Sequence, residues 1–366
     1  MTLPTVCFLT GTLNAFAGAE RMTAVIANGL AERGYRVHVL SLYDRTSVFP
    51  LHQDVTHHAL FDARPSFRRE YLTTVLGIRR FVREHGVDVL VEVDTMLTLF
   101  TVPATLGMRV RRVAWEHCHF DEDLGRPARR VARRLAAWTN AAIVVLTERD
   151  RERWLTLRRG AHRVRVIGNA LPFAMPDEPA PRDHRVLLAV GRLTHAKGFD
   201  ILLRAWARVH ASLPGWQLRI VGDGEERDAL HDQLRALARA SDLAASVTFA
   251  GTTADVSGEY RRAAAFCLSS RYEGFGLVLI EAMAYGLPIV ATHCETGPKA
   301  LLEDDVNAVV VPVEDDAALG RALVRVCNDA ALQDRLATGG RAFAGQFALP
   351  RILAHWSQLL DSLKRG

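Results

Sequence analysis

Short apolar runs, each followed by a stretch of helical spacing, recur along the whole chain, and this rhythm breaks only once. The runs TVCFLT, RVHVLSL, VDVLVEV, RRVAW, AAIVVLT and VRVIG alternate with helical patterns that include those near 20–33 and 68–84. Strands that are apolar throughout, with helices between them, indicate a parallel sheet covered on both faces, because each crossover helix buries one side of it. The break is LPFAMPDEPAP, residues 171–181, where four prolines within ten residues disfavour both helix and ladder. Beyond it the rhythm restarts with RVLLAVG, WQLRIVG, SVTFAG, AAFCLSS, LPIVAT and NAVVVP. The chain is therefore expected to be α/β, with two Rossmann-like, doubly wound parallel-sheet domains. Ligands belong at the carboxyl ends of such strands, here across a cleft between the domains. The expected boundaries are 1–170 for the first domain, 171–184 for a linker, 185–346 for the second domain and 347–366 for a terminal segment with the last helix, ILAHWSQLLDSL.

A length of 366 residues supports two cores, and 49% hydrophobic with 24% charged content is ordinary for a globular protein. The opening MTLPTVCFLTG runs straight into a strand pattern, so no signal peptide is expected, and no apolar run is long enough to span a bilayer. Cys7, Cys118, Cys267, Cys294 and Cys327 are odd in number and scattered without metal-ligand spacing, which suits a reducing compartment. The expected location is the cytoplasm.

The net charge of +5 is unevenly spread, since residues 1–170 carry 25 arginines and no lysine against 17 carboxylates. The segment GRPARRVARRLAAW (125–138) reads as a helix with Arg126, Arg129, Arg130, Arg133 and Arg134 beside Val131, Leu135 and Trp138. One reading is attachment to an anionic membrane surface or an acidic acceptor, which would place the protein peripherally on the inner face of the cytoplasmic membrane. The other is a solvated helix face, favoured by the bias of the whole chain, 43 arginines to three lysines. Nucleic acid is not an expected partner, because no aromatic-rich or recognition-helix pattern accompanies the arginines.

Chemistry concentrates in RYEGFGLVLIEAMAYGLPIVAT, residues 271–292. Glu281 lies among Leu277, Val278, Leu279, Ile280 and Met283, where a carboxylate needs a ligand or a buried donor. Glu273 precedes Gly274 and Gly276, which suit a tight turn, and the amides that open the next helix, near Phe275, Gly276 and Leu277, favour an anion. Carboxylates beside anion-binding amides match a sugar nucleotide, whose hydroxyls need acceptors and whose diphosphate needs donors. Arg192 and Lys197 follow the strand RVLLAVG on the loop GRLTHAKG and could neutralise a leaving diphosphate as a magnesium ion would. Gly18, in GTLNAFAGAERM, lets backbone approach a phosphate or an acceptor, or simply makes a strand-to-helix turn. In WEHCHF, His117 and His119 lack a third metal ligand at a standard interval, and Asp121-Glu122-Asp123 reads as a solvated loop, so no metal site is expected.

The glutamate, seven residues, glutamate spacing in EGFGLVLIEAMAYGLP resembles the signature of retaining glycosyltransferases of family GT4, which have the GT-B fold. The resemblance extends, in the family's order, through VGRLTHAKGFDILLRAW, LRIVGDGEERDAL, VTFAG and GPKALLEDDVNAVVVP. It implies that Glu281 takes the ribose hydroxyls, Glu273 the sugar hydroxyls, and Arg192 and Lys197 the leaving diphosphate, without a metal or other cofactor. His117 is implied to stand beside the reacting sugar, with His119 in reserve. The terminal helix is implied to pack back on the first domain. One departure is Ala17-Gly18 where the family has two adjacent glycines, which bears on how closely that loop meets the donor.

CETGPKALLED, GAERM and WEHCHF together look most like bacterial enzymes that extend lipid-linked oligosaccharides, capsule or lipopolysaccharide. The implied reaction moves a hexose or N-acetylhexosamine from a UDP-sugar to a saccharide acceptor. Alternatives are a UDP-sugar epimerase of related fold, a phosphorylase, and a non-catalytic sugar-nucleotide-binding scaffold. A phosphorylase would need a pyridoxal-phosphate lysine, and Lys197 and Lys299 are the only lysines before the C-terminal tail.

Overall fold

The structure is a computed structural model that describes residues 3–363 apart from 67, 124, 158, 159, 241 and 254. It divides into two compact units, 1–172 with 349–366, and 173–348. The end of the expected terminal segment, 364–366, lies outside the described residues.

In the first unit the apolar runs become β1 (Thr5–Thr10), β2 (Arg36–Tyr43), β3 (Val55–Phe61), β4 (Val89–Val93), β5 (Arg111–Trp115), β6 (Ala142–Val145) and β7 (Val164–Val166). They form one sheet of order β3-β2-β1-β4-β5-β6-β7, and every pairing is parallel. The second unit holds β8 (Val186–Val190), β9 (Gln217–Val221), β10 (Val247–Phe249), β11 (Ala265–Leu268), β12 (Ile289–Thr292) and β13 (Val309–Val311). Their order is β10-β9-β8-β11-β12-β13, again all parallel. Strand order reverses between β1 and β4 and between β8 and β11. At such switch points the loops leaving adjacent strands diverge and open a crevice.

Each sheet is held by helices whose apolar face lies on it. In the second unit Ile201, Leu202 and Trp206 of one helix and Leu319, Leu323 and Val326 of another pack with Leu187, Leu218 and Ile220. In the first, Val75, Ile78 and Phe81 cover Cys7, Leu9, Leu40 and Leu90. The last helix, Leu349–Ser362, is part of the first unit: Trp356 meets Trp115 edge to face at 4.9 Å, and Leu353 lies so close to Gly29 that an added Cβ would sit 2.4 Å from it. A side chain at Gly29 would force Leu353 aside.

Two expectations need correcting, and the linker gains a structural account. The sequence VTHHALF, not anticipated as a strand, is the edge strand β3; its two central histidines interrupt the apolar run by which the other strands are recognised. The segment expected as the linker makes specific contacts. Ala180 N donates to Tyr285 O at 2.7 Å, Arg341 donates to Pro176 O and Asp177 O at 2.8 and 3.0 Å, and Phe173 packs on Tyr285, so the segment is fastened to the second unit. The arginine helix, Ala128–Thr139, does not present all its arginines to solvent. Arg129 and Arg133 are 4% and 2% exposed and share the inward face with Ala132, Ala136 and Ala137, whereas Arg126, Arg130 and Arg134 are exposed with Val131 and Trp138. Residues four apart share a helical face, so Arg129 and Arg133 form one row and Arg130 and Arg134 another, while Arg126, expected on this helix, lies before it begins. Among the described residues, no helix is long and apolar enough to cross a membrane.

Candidate functional site

In the second unit the switch point lies beneath the loops that leave β8 and β11. From β8 the chain passes Gly191 and Arg192 into the turn His195–Lys197, and a Cβ at Gly191 would sit 3.4 Å from Lys197 Cδ, so the lysine stem lies over the loop. Lys197 Nζ donates to Glu273 Oε1 at 2.6 Å, and Ser270 Oγ donates to the same oxygen at 2.7 Å. Glu273 is buried, and its backbone bridges to Thr296. Sequence spacing did not reveal that Lys197 and Glu273 are partners. Arg192 stands apart, with an exposed side chain whose nearest carboxylate is Glu225 at 3.8 Å.

Gly274 and Phe275 continue the loop, and Gly276 begins the helix Leu277–Ala284 with a left-handed φ of 83° that strains other residues. That turn sends the chain from the strand layer into the helix, whose first amides lack intrahelical acceptors. The Phe275 side chain is buried edge-on against Phe347 at 5.6 Å, so only its backbone can serve a ligand. Glu281, 1% exposed, accepts from the buried Tyr260 hydroxyl at 3.0 Å, and Tyr260 stacks on Tyr285 at 5.4 Å. The expected buried donor exists, and it is a residue that sequence spacing alone had not singled out.

The corresponding loops of the first unit carry a denser charge network. Gly18 opens the helix Gly18–Glu32 after β1, and a Cβ there would meet nothing within 4 Å. Packing does not demand glycine at this position. Past β4, Asp94 holds a φ of 128° and takes both terminal nitrogens of Arg129, at 3.0 and 2.7 Å. Past β5, Glu116 is fully buried and accepts from Thr95 Oγ1 at 2.6 Å, Cys118 N at 3.0 Å and Arg133 Nε at 3.1 Å. Arg133 also donates to the carbonyls of His119, Phe120 and Glu122. Burial, together with Asp94, raises the Glu116 carboxyl above its ordinary range, against the pull of Arg133 and Arg129.

The two histidines of WEHCHF differ. His119 Nδ1 accepts from Asp121 N at 2.8 Å, so that ring is used to shape its own loop. His117 lies against Trp115 with ring centres 4.4 Å apart, and its Nε2 is buried without a hydrogen-bond partner. Desolvation lowers its pKa to about 4, so the imidazole is neutral at pH 7. Asp121 pairs bidentately with Arg153 and Asp123 with Arg130, which accounts for both outer carboxylates of the Asp-Glu-Asp loop. Asp94, Arg129, Arg133, Tyr260 and Ser270 were not legible as site residues. The only local signal was the four-residue spacing of the two arginines.

The family model for Glycosyltransferase Family 4 matches residues 16–174, and that for Glycosyl transferases group 1 matches residues 184–329. An uncharacterised glycosyltransferase of Haemophilus influenzae is 31% identical over 348 residues, spanning 95% of this chain and 97% of that protein. A Campylobacter jejuni α-1,4-N-acetyl-D-galactosaminyltransferase, whose name gives a diphosphate-undecaprenol-linked saccharide as its substrate, is 24% identical over 368 residues, 99% of each chain. Among solved structures, Anabaena HepE in complex with UDP-glucose superposes with a TM-score of 0.82 at 21% identity, covering 98% of this chain and all of that one. Two parallel Rossmann-like sheets, matches covering both halves and full-length similarity converge: the chain is a glycosyltransferase of GT-B fold and belongs to the group 1, family 4 glycosyltransferases.

Proposed function

We propose that this enzyme transfers a hexose or N-acetylhexosamine from a UDP-sugar to a lipid-linked saccharide, with retention of anomeric configuration, in the assembly of a bacterial surface polysaccharide or glycan. The observation that carries the reading is the Lys197–Glu273 pair at the second unit's switch point, with Arg192 on the same loop. An incoming donor would part that pair, its diphosphate taking the ammonium and a sugar hydroxyl the carboxylate. The resemblance assigns the same roles. The UDP-glucose held by HepE and the undecaprenol-linked substrate of the Campylobacter enzyme support the donor and acceptor classes.

In this reading the second unit binds the donor and the first takes the acceptor. The acceptor oxygen attacks the anomeric carbon from the face that the diphosphate leaves. The bond from that carbon to the phosphate oxygen breaks, the proton passes to the departing phosphate, and UDP leaves with it. Arg192, Lys197 and the amides of Gly276 and Leu277 stabilise the growing phosphate charge. His117, neutral and with Nε2 unpartnered, offers the donor's primary hydroxyl a hydrogen bond. Glu281 takes the ribose hydroxyls, and the open space at Gly18 admits the substrate to backbone.

A panel of UDP-, GDP- and ADP-sugars, followed by thermal shift and by the anomeric signal of the product, tests this. Stabilisation by UDP-sugars and an axial, retained linkage are expected. A preference for GDP-sugars, or an inverted product, would overturn the donor or the stereochemistry. An epimerised donor formed without acceptor would establish the epimerase instead.

Glu281→Gln keeps an acceptor for Tyr260 but loses the charge, and should weaken UDP binding about tenfold, as a hydrogen bond to a charged group is worth about 1.5–3 kcal/mol. Glu273→Gln should leave UDP affinity within about threefold, since a neutral acceptor remains, while sugar discrimination falls. Calorimetry with UDP and with two UDP-sugars separates the two; equal losses of UDP affinity would rule out the division of labour. Because Arg192 and Lys197 supply the cations, turnover should survive EDTA within about twofold. Loss on chelation and recovery with manganese would assign the diphosphate to a metal.

A lipid-linked acceptor brings the first unit to a membrane surface, and the exposed Arg130 and Arg134, with Arg126 just before the helix and Val131 and Trp138 on it, are suited to it. Each arginine near anionic lipid is worth about 1 kcal/mol. Replacing these three by Gln should release the protein from phosphatidylglycerol vesicles at low salt and spare activity on a short soluble acceptor. Wild-type protein that ignores such vesicles leaves these arginines a solvated face.

A further inference from the structure

We propose that His38, His58 and His85 form a binding site for a zinc-like divalent transition metal, which pins the edge of the first sheet to the helix Tyr71–Glu84. His38 is the third residue of β2, His58 the fourth of β3, and His85 caps the C-terminus of that helix. The parallel register pairs His38 with Thr56 and Leu40 with His58, so the two strand histidines project from the same face of the sheet. One ring nitrogen from each of the three lies within 4.8 Å of the others. Ring centres are 5.9 Å apart for His38 and His58, and 5.0 Å for each of them to His85. Three imidazoles radiating from a tetrahedral zinc at about 2.0–2.1 Å would hold their centres about 5 Å apart, so small side-chain shifts complete the arrangement.

The remaining nitrogens are oriented as a metal site requires. His38 Nδ1 is bonded to Thr56 Oγ1 at 2.9 Å, and His85 Nδ1 to the carbonyl of Phe81 at 3.0 Å, which frees Nε2 on each ring for a ligand bond. Nε2 of His38 and Nε2 of His58 are buried without a partner, and His38 is only 4% exposed. Two orphaned ring nitrogens facing the same place are costly as plain core packing, and a shared cation satisfies both. Phe81 stacks on His85 at 4.0 Å and meets His58 edge-on at 5.0 Å, fixing both rings. Neutral imidazoles select zinc, nickel or copper over magnesium and calcium, and a water completes the fourth position.

His85 leads directly into β4, which puts it at the amino ends of the strands, whereas Gly18, Asp94 and Glu116 follow their carboxyl ends. The metal would therefore be structural and take no part in transfer. Tag-free full-length protein, stripped with EDTA and desalted, is titrated with zinc and with cobalt. One equivalent retained after desalting, a tetrahedral cobalt absorption band and a Tm rise of several degrees are expected. His58→Ala and His85→Gln should each weaken binding by more than about tenfold and abolish the Tm rise, while stripped and loaded wild type turn over alike at 25 °C. His85→Gln, at a half-buried helix end, serves if His58→Ala does not fold. No bound equivalent in the wild type, or a site that persists unchanged in His85→Gln, would overturn the assignment.

Discussion

Lys197→Ala and Arg192→Ala should each lower kcat by about 100-fold or more, because removing one donor that stabilises charge in the transition state typically costs about 3 kcal/mol. The two losses should differ in character. Arg192 is exposed and only distantly paired, so its removal changes little in the ligand-free enzyme and acts on the reaction alone. Lys197 neutralises the buried Glu273 at 2.6 Å, so Lys197→Ala also leaves a carboxylate without its cation, held by Ser270. That variant should lose stability as well as turnover, and Lys197→Ala with Glu273→Gln should recover the stability but not the rate. Single-turnover rates and thermal midpoints of the three variants decide it. Activity within about threefold of wild type for both single variants would remove these cations from the mechanism.

Arg133→Ala should destabilise the first unit by about 3–5 kcal/mol, the usual consequence of leaving one member of a buried ion pair behind. Arg133 Nε bonds the fully buried Glu116, and its terminal nitrogens hold the carbonyls of His119, Phe120 and Glu122, so its loss frees the whole WEHCHF loop. Arg130 is the control on the same helix. Its side chain is largely exposed and pairs with Asp123 at 2.6 Å, a surface bridge worth about 0–1 kcal/mol. Urea titration followed by tryptophan fluorescence should separate Arg133→Ala from Arg130→Ala clearly. Equal, small effects would mean that the loop relaxes and hydrates Glu116.

Much of the architecture was local information. Strands such as VDVLVEV and RVLLAVG, apolar on both faces, and the four prolines near 171–181 identify two parallel sheets in series, since period and punctuation depend on neighbouring residues alone. The same locality marked the loops leaving β8 and β11, where Arg192, Lys197, Glu273 and Gly276 stand. It failed at β3, where His57 and His58 sit in an edge strand that tolerates them, and with that strand the three-histidine cluster went unseen.

Contacts across the chain were decided by tertiary structure. Helical spacing grouped Arg129 with Arg133 and Arg130 with Arg134, but only the packed helix shows which row faces inward. The inward row finds Asp94 and Glu116, 35 and 17 residues away, and Lys197 finds Glu273 across 76 residues. Tyr260 reaches Glu281 from the helix before β11. A buried charge must be paired, so the sequence could require a partner for Glu281. It could not say which one, because pairing depends on which loops the parallel crossovers bring to the same end of a sheet.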